Sequence, residues 1–371
     1  MSYPDSKAAR EADRARVVAV DTEVSELQER IRVLRMEQES CQRRLEAYKY
    51  PVLTLPNEIT SEIFIHFLPP YPTCPQLRGL RSPTSLTHIC RKWRDIALGT
   101  PKLWRAFSTA YRADQPEHIQ AVQTWLERSG SCPLSVKLVL GNAPHDEALT
   151  AILLHRERWQ HMELNLAANE VALIKGPMPL LQSLSLGVGD FEYTQPATTV
   201  DDFPRLRAVT LDDACHGNWL PISQLTSLTF DDVEPDNYLP LLQDAVNLVR
   251  LHLIDCDTDV LPPQCSVKLD RLETLVVVST FSWDSGASQI FETFILPALR
   301  TLHVSGTFLG EDPRSIAPLL TRSRCKLQEV LVARECKFSE TAFRAAFPSI
   351  PNIIFDGEYS WSARRHLRNA L

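Results

Sequence analysis

The chain has 371 residues, with 39 basic against 46 acidic side chains and 44% apolar residues, which is enough to bury a core in two or three units. Its 12 glycines, about half of the ~25 in an average chain of this length, argue against glycine-loop nucleotide enzymes. A net charge of −7 argues against a protein that holds nucleic acid through its phosphates, so the expected partners are proteins.

Nine scattered cysteines, never spaced C-x-x-C, fit neither a disulfide framework nor a zinc knuckle. Met1 to Arg16 is polar, and no uncharged apolar run is long enough to span a bilayer. The expectation is a reducing compartment, cytosol or nucleus, with no membrane partner. Charge is uneven along the chain. Residues 1–50 hold ten basic and ten acidic side chains, and residues 51–110 hold seven and three. The remainder holds 22 and 33, a balance of −11. Three segments follow: a heptad helix (1–50), a small helical module (51–108) and a repeat array (109–371).

In the first segment Val17, Val20, Val24, Leu27, Ile31, Leu34, Gln38, Cys41, Leu45 and Tyr48 recur at alternating intervals of three and four. That pattern marks one seam of a coiled-coil helix, and no Pro or Gly interrupts residues 5–50. In a parallel homodimer the flanking contacts would be Glu23 with Gln28, Arg30 with Arg35, Glu37 with Gln42 and Arg44 with Lys49. Two of these repel and none is complementary. Heterotypic, antiparallel or weak association therefore stays open, as does packing on the chain itself.

Tyr50-Pro51 ends the heptads, and Leu53-Thr54-Leu55-Pro56-Asn57-Glu58-Ile59-Thr60-Ser61-Glu62-Ile63-Phe64 opens a new helix. Pro56 suits a first turn and Glu58 suits the positive end of the dipole. Ile59, Ile63 and Phe67 recur every four residues, with Phe64 and Leu68 beside them. A second amphipathic helix is expected over Ser85 to Ala97, with Leu86, Ile89, Cys90, Trp93 and Ile96 on one face. Between them Leu68-Pro69-Pro70-Tyr71-Pro72-Thr73-Cys74-Pro75, continuing to Pro83, excludes regular helix. About fifty residues cannot hide this many large side chains internally, so the surplus face needs a partner.

The Leu-Pro-x-Glu-Ile-x-x-Glu-Ile-Phe opening, Ile-Cys-Arg-Lys-Trp-Arg-Asp-Ile-Ala and Pro-x-Leu-Trp together resemble an F-box. The F-box family docks on the small adaptor subunit of SKP–cullin–F-box ubiquitin ligases. The resemblance implies that Leu55, Pro56, Ile59, Ile63, Phe64, Ile89, Cys90 and Trp93 include the adaptor-facing side chains. The proline-rich stretch departs from a compact F-box by lengthening the connection between its helices. The alternative is that residues 53–104 form only a helical cap on the following domain.

From about residue 133 an L-x-x-L-x-L-like hexamer returns nine times, starting at Trp159, Leu181, Leu206, Leu225, Leu248, Leu272, Leu299, Leu327 and Ile350. The spacing of 19 to 28 residues is that of leucine-rich repeats. Each hexamer predicts a short strand of a solenoid. Pro133 to Leu140 reads as an extra first strand, preceded by an amphipathic helix carrying Ile119, Val122, Trp125 and Leu126. Leu239 to Val246, Ser315 to Arg322 and Ser339 to Ala346 read as helical returns, and Cys256 as a buried structural thiol.

The outward-pointing strand residues should line a broad recognition face without a deep pocket: Ser183 and Ser185; Ala208, Thr210 and Asp212; Ser227, Thr229 and Asp231; Arg250, His252 and Ile254; Thr301, His303 and Ser305. Thr210, Asp212, Thr229, Asp231, Arg250, His252, Thr301 and His303 are the candidate client contacts. An acidic array leans toward basic clients.

No nucleophile elbow, P-loop, kinase signature or H-E-x-x-H pair occurs. His216 beside Cys215, and His252 four residues before Cys256, do not complete a metal set. The expectation is an α/β chain with no cofactor, metal or catalytic site of its own. It would be a substrate receptor that binds an SKP-type adaptor, and cullin through it, and presents a client protein. The rival is a non-degradative interaction scaffold.

Overall fold

The computed structural model describes residues 7–47, 51–110, 116–139, 147–188, 200–212, 219–256, 266–279, 289–333 and 336–356. Among these, helices are α1 (Lys7–Ala47), α2 (Asn57–Phe67), α3 (Pro83–Leu86), α4 (Arg91–Leu98), α5 (Pro116–Arg128), α6 (Glu147–Leu153), α7 (Ala168–Val171), α8 (Pro235–Asp244), α9 (Ile290–Thr293), α10 (Gly306–Leu309), α11 (Ala317–Ser323) and α12 (Glu340–Ala346). The strands are β1 (Ala106–Ala110), β2 (Leu134–Val139), β3 (Trp159–Leu166), β4 (Ser183–Val188), β5 (Ala208–Asp212), β6 (Ser227–Asp231), β7 (Arg250–Ile254), β8 (Val267–Lys268), β9 (Thr274–Val278), β10 (Phe294–Ile295), β11 (Thr301–Ser305), β12 (Glu329–Ala333) and β13 (Asn352–Asp356). Contacts divide the chain into two compact units, residues 1–60 and 61–371, with the division inside α2.

In the first unit α1 runs for 41 residues. Nothing in it breaks a helix, and Glu29–Arg32 and Glu39–Arg43 pair along its outer side at 2.6 and 3.9 Å. It has no buried residue. The seam position Tyr48 lies outside the described residues.

The second unit is built on an eleven-stranded, all-parallel sheet in the order β1-β2-β3-β4-β5-β6-β7-β9-β11-β12-β13. A separate parallel pair, β8 and β10, lies in the return segments. The hexamers explain the register. Leu184, Val209, Leu228, Leu251, Leu275, Leu302, Val330 and Ile353 stand side by side, and so do Leu186, Leu211, Phe230, Leu253, Val277, Val304 and Val332. All of them are buried. The first leucine of a hexamer sits one turn earlier: Leu206 N bonds Phe203 O, Leu225 N bonds Ile222 O and Leu248 N bonds Ala245 O. The helical returns fall at α8, α11 and α12. Leu140 lies outside the described residues, and the rest of the expected first strand is β2.

Three features differ from expectation. The helix over Ser85 to Ala97 is two helices. Ser82 caps α3 by accepting from Thr84 N, whereas Cys90 is extended and its Sγ accepts from Trp93 N to start α4. Arg94 Nε donates to Thr87 O across the break at 2.8 Å. Next, the sheet begins one strand earlier than the repeats suggest, because Ala106–Ala110 pairs in parallel with β2. Finally, the proline-rich stretch is ordered against this sheet. Gln76 bridges Ser108 of β1, and Ser108 N donates to Pro75 O at 2.7 Å.

One continuous core joins the helices after α1 to the strands. Phe64, Leu86, Ile96, Leu103, Trp104, Phe107 and Trp125 share it with Leu134, Val136 and the hexamer leucines. Trp104 stacks edge-on against Trp125, with 5.1 Å between ring centres, and its Nε1 donates to Ala97 O at 2.9 Å.

Candidate functional site

The first candidate surface lies on α2. Four-residue spacing places Ile59, Ile63 and Phe67 along one side of the helix, and all three are exposed, Ile59 and Ile63 by 51% and 50%. Phe64, one residue on from Ile63, is only 1% exposed and packs edge-on against Trp93, with ring centres 5.0 Å apart. The eight adaptor candidates therefore divide. Ile59, Ile63, Pro56 and Ile89 are exposed, and Leu55, Cys90 and Trp93 are half-buried. Phe64 is committed to the chain's own core.

The second candidate is the polar side of the strands. Register aligns Ser185, Thr210, Thr229, His252, Val276 and His303 in one row. Beside it run Ser183, Ala208, Ser227, Arg250, Thr274 and Thr301. The centre of these rows is closed to solvent. Thr210, Thr229, Asp231 and His252 are buried, Asp212, Thr301 and His303 are half-buried, and only Arg250 of the eight candidates is exposed.

Two physical causes act together. Strands ~4.8 Å apart shield one another's side chains, and Ile254, Val276 and Val278 form a second buried apolar cluster on this side. The signal was present in Thr274-Leu275-Val276-Val277-Val278, a run too continuously apolar for a strand wetted on one face. Burial drives the His252 pKa down to about 4, aided by the nearby charges of His303 and Arg250. His252 is thus neutral at pH 7. His303 is also lowered by burial, although Glu329 Oε1 at 3.6 Å opposes the shift.

A third feature was not foreseen. The proline-rich strap and strands β1 to β5 line a cleft of about 450 Å³. Its walls carry the Lys137–Glu163 ion pair (2.6 Å), together with Gln76, Ser108, His161, Ser185 and Thr210. The strap is fastened by Tyr71 Oη donating to Gln160 Oε1 at 2.7 Å and Ser135 Oγ donating to Pro72 O at 2.6 Å. Arg105 covers the Tyr71 ring at 3.9 Å. His161 meets that ring edge-on and shares a 2.8 Å hydrogen bond with Ser183 Oγ, and burial pushes its pKa down to about 4.

Cys256 is buried, contacts Phe230 O and Ile254 O through Sγ, and has its thiol pKa pushed up to about 12 by burial. That is the environment of an inert core thiol. Among the described residues no group of three His, Cys, Asp or Glu could hold a metal ion. Cys215 and His216 lie outside those residues. No described helix is long and apolar enough to cross a membrane. No family model matches the chain, and no curated protein matches it.

Proposed function

We propose that this chain is a substrate-recognition subunit of an SKP–cullin–F-box ubiquitin ligase, with no catalytic group or cofactor of its own. The observation that carries the reading is the exposed apolar strip Ile59, Ile63 and Phe67 on α2, with Ile89 also exposed, in a stretch whose residues resemble an F-box. Clustered apolar side chains of this size on a surface mark a docking site. In this reading Phe64 and Trp93 shape α2 from beneath rather than touch the adaptor. The eleven strands in chain order, at leucine-rich-repeat spacing, are read as a solenoid that holds a client protein. Arg250, Thr301 and His303, with the cleft under the strap, are its accessible polar contacts. Catalysis is then proximity: a bound client is held near a ubiquitin-carrying partner.

The test is co-purification of the full chain with an SKP-type adaptor and cullin. Ile63→Asp and Ile89→Asp should each abolish adaptor binding while the melting temperature stays unchanged. Adaptor binding that survives both changes overturns the reading. Trp93→Asp is a poor test, because it removes a ring packed on Phe64.

A second reading has its own observation in favour. Phe64, Leu86, Ile96, Leu103 and Trp104 share one core with the strands, as a helical cap would. A non-degradative scaffold of that kind predicts no adaptor binding, or adaptor capture without ubiquitination of any bound client.

A further inference from the structure

The apolar seam of α1 is exposed at Val20, Val24, Leu27, Ile31, Leu34 and Leu45, with only Cys41 half-buried among its residues from Val20 to Leu45. We propose that α1 binds α1 of a second copy of this chain, antiparallel and in a single register. Ile31 then faces the partner's Leu34, Leu27 the partner's Gln38, Val24 the partner's Cys41 and Val20 the partner's Leu45.

The flanking charges select this arrangement. Reversing one helix sets the residues that precede each a position opposite one another across the seam. In the stated register Glu23 meets Arg44 of the partner subunit and Arg30 meets Glu37 of the partner subunit, and two-fold symmetry repeats both pairs. A slide of one heptad in one direction sets Glu23 against Glu37 and Arg30 against its own copy. A slide the other way sets Arg30 against Arg44 and Glu37 against its own copy. Either shift turns the complementary set into like charges. The parallel alternative repels at Arg30–Arg35 and Arg44–Lys49.

The alternation Glu23, Arg30, Glu37, Arg44 therefore encodes both orientation and register, as flanking charges do in coiled coils. Three of these four side chains are also available, while Arg44 Nη2 donates to Cys41 Sγ at 3.2 Å within the helix. The ion pairs within α1 use Glu29, Arg32, Glu39 and Arg43 on the outer side, and among the described residues Glu23, Arg30 and Glu37 make none. The pairing does not rest on the ubiquitin-ligase reading.

Sedimentation velocity on the full chain should show a species of twice the 42.0 kDa monomer. Glu37→Arg should weaken the dimer about tenfold, because two attractive contacts become repulsive. Adding Arg30→Glu should restore it. A parallel dimer would be indifferent to Glu37→Arg, which there faces Gln42.

Orientation is read directly by oxidation. Val24→Cys should form a disulfide to Cys41 of the partner subunit, identified by mass spectrometry of the linked peptides. The wild type should form no Cys41–Cys41 bond, since those residues lie about 25 Å apart along the axis, beyond disulfide reach. A chain that stays monomeric at high micromolar concentration overturns the proposal. So does a wild-type Cys41–Cys41 link, and so does a dimer unmoved by Glu37→Arg. All the altered residues are on the exposed helix, and unchanged circular dichroism verifies that it stays folded.

Discussion

Val24, Leu27 and Ile31 of α1 are exposed, while Leu251, Leu275 and Leu302 of the sheet are completely buried. Both sets are regular, and the difference lies in where the neighbour comes from. A strand of about five residues cannot hide its leucines alone, but the next hexamer arrives one repeat later and pairs with it. The chain itself supplies each layer. A heptad helix presents a strip whose partner must be another helix, and among the described residues nothing buries that strip. Periodicity therefore predicts burial only where the same chain repeats the unit.

The largest test of this contrast is truncation of a buried side chain. Leu302→Ala should cost about 2–5 kcal/mol of stability in urea unfolding. Phe64→Ala should behave in the same way, at about 3–5 kcal/mol, which would separate it from its exposed neighbour Ile63.

The next effect sharpens the view that the centre of the polar strand face is buried. The folded pKa of His252 lies near 4, below the ordinary histidine value of 6.5, so the unfolded chain binds the extra proton. Stability is then full above about pH 7 and falls as pH drops through 6.5 toward 4. Between pH 7 and 5 this histidine should cost on the order of 1–2 kcal/mol. His252→Val, matching Val276 in the row, should flatten that part of the pH profile. Tyr71→Phe, which removes one hydrogen bond from the strap, should cost about 1 kcal/mol. Leu27→Ala closes the series. At concentrations that keep the chain monomeric it should leave stability within about 0.5 kcal/mol.

The long helix was legible because nothing in residues 7–47 interrupts it, and the strands were legible because leucines returned at a repeat spacing. What escaped the sequence depends on contacts between distant residues. Ala106-Phe107-Ser108-Thr109-Ala110 carries no hexamer and becomes a strand only beside β2 and the strap. The break at Cys90 depends on which atoms cap α4, a local competition that amphipathic spacing does not register. The burial of Thr229 and His252 depends on what stands beside them one repeat away. Of the α2 surface, the sequence indicated the apolar content but not the division between Ile63 and Phe64.

The strap has a consequence for solubility. An outermost strand of a parallel sheet offers unpaired amides to any passing strand and invites end-to-end growth of one molecule on the next. Here the outer side of β1 is occupied by residues 75–76. Pro69, Pro70, Pro72 and Pro75 have no N–H to give a further strand. The proline-rich stretch thus acts as a stopper against fibre-like stacking at this end of the sheet.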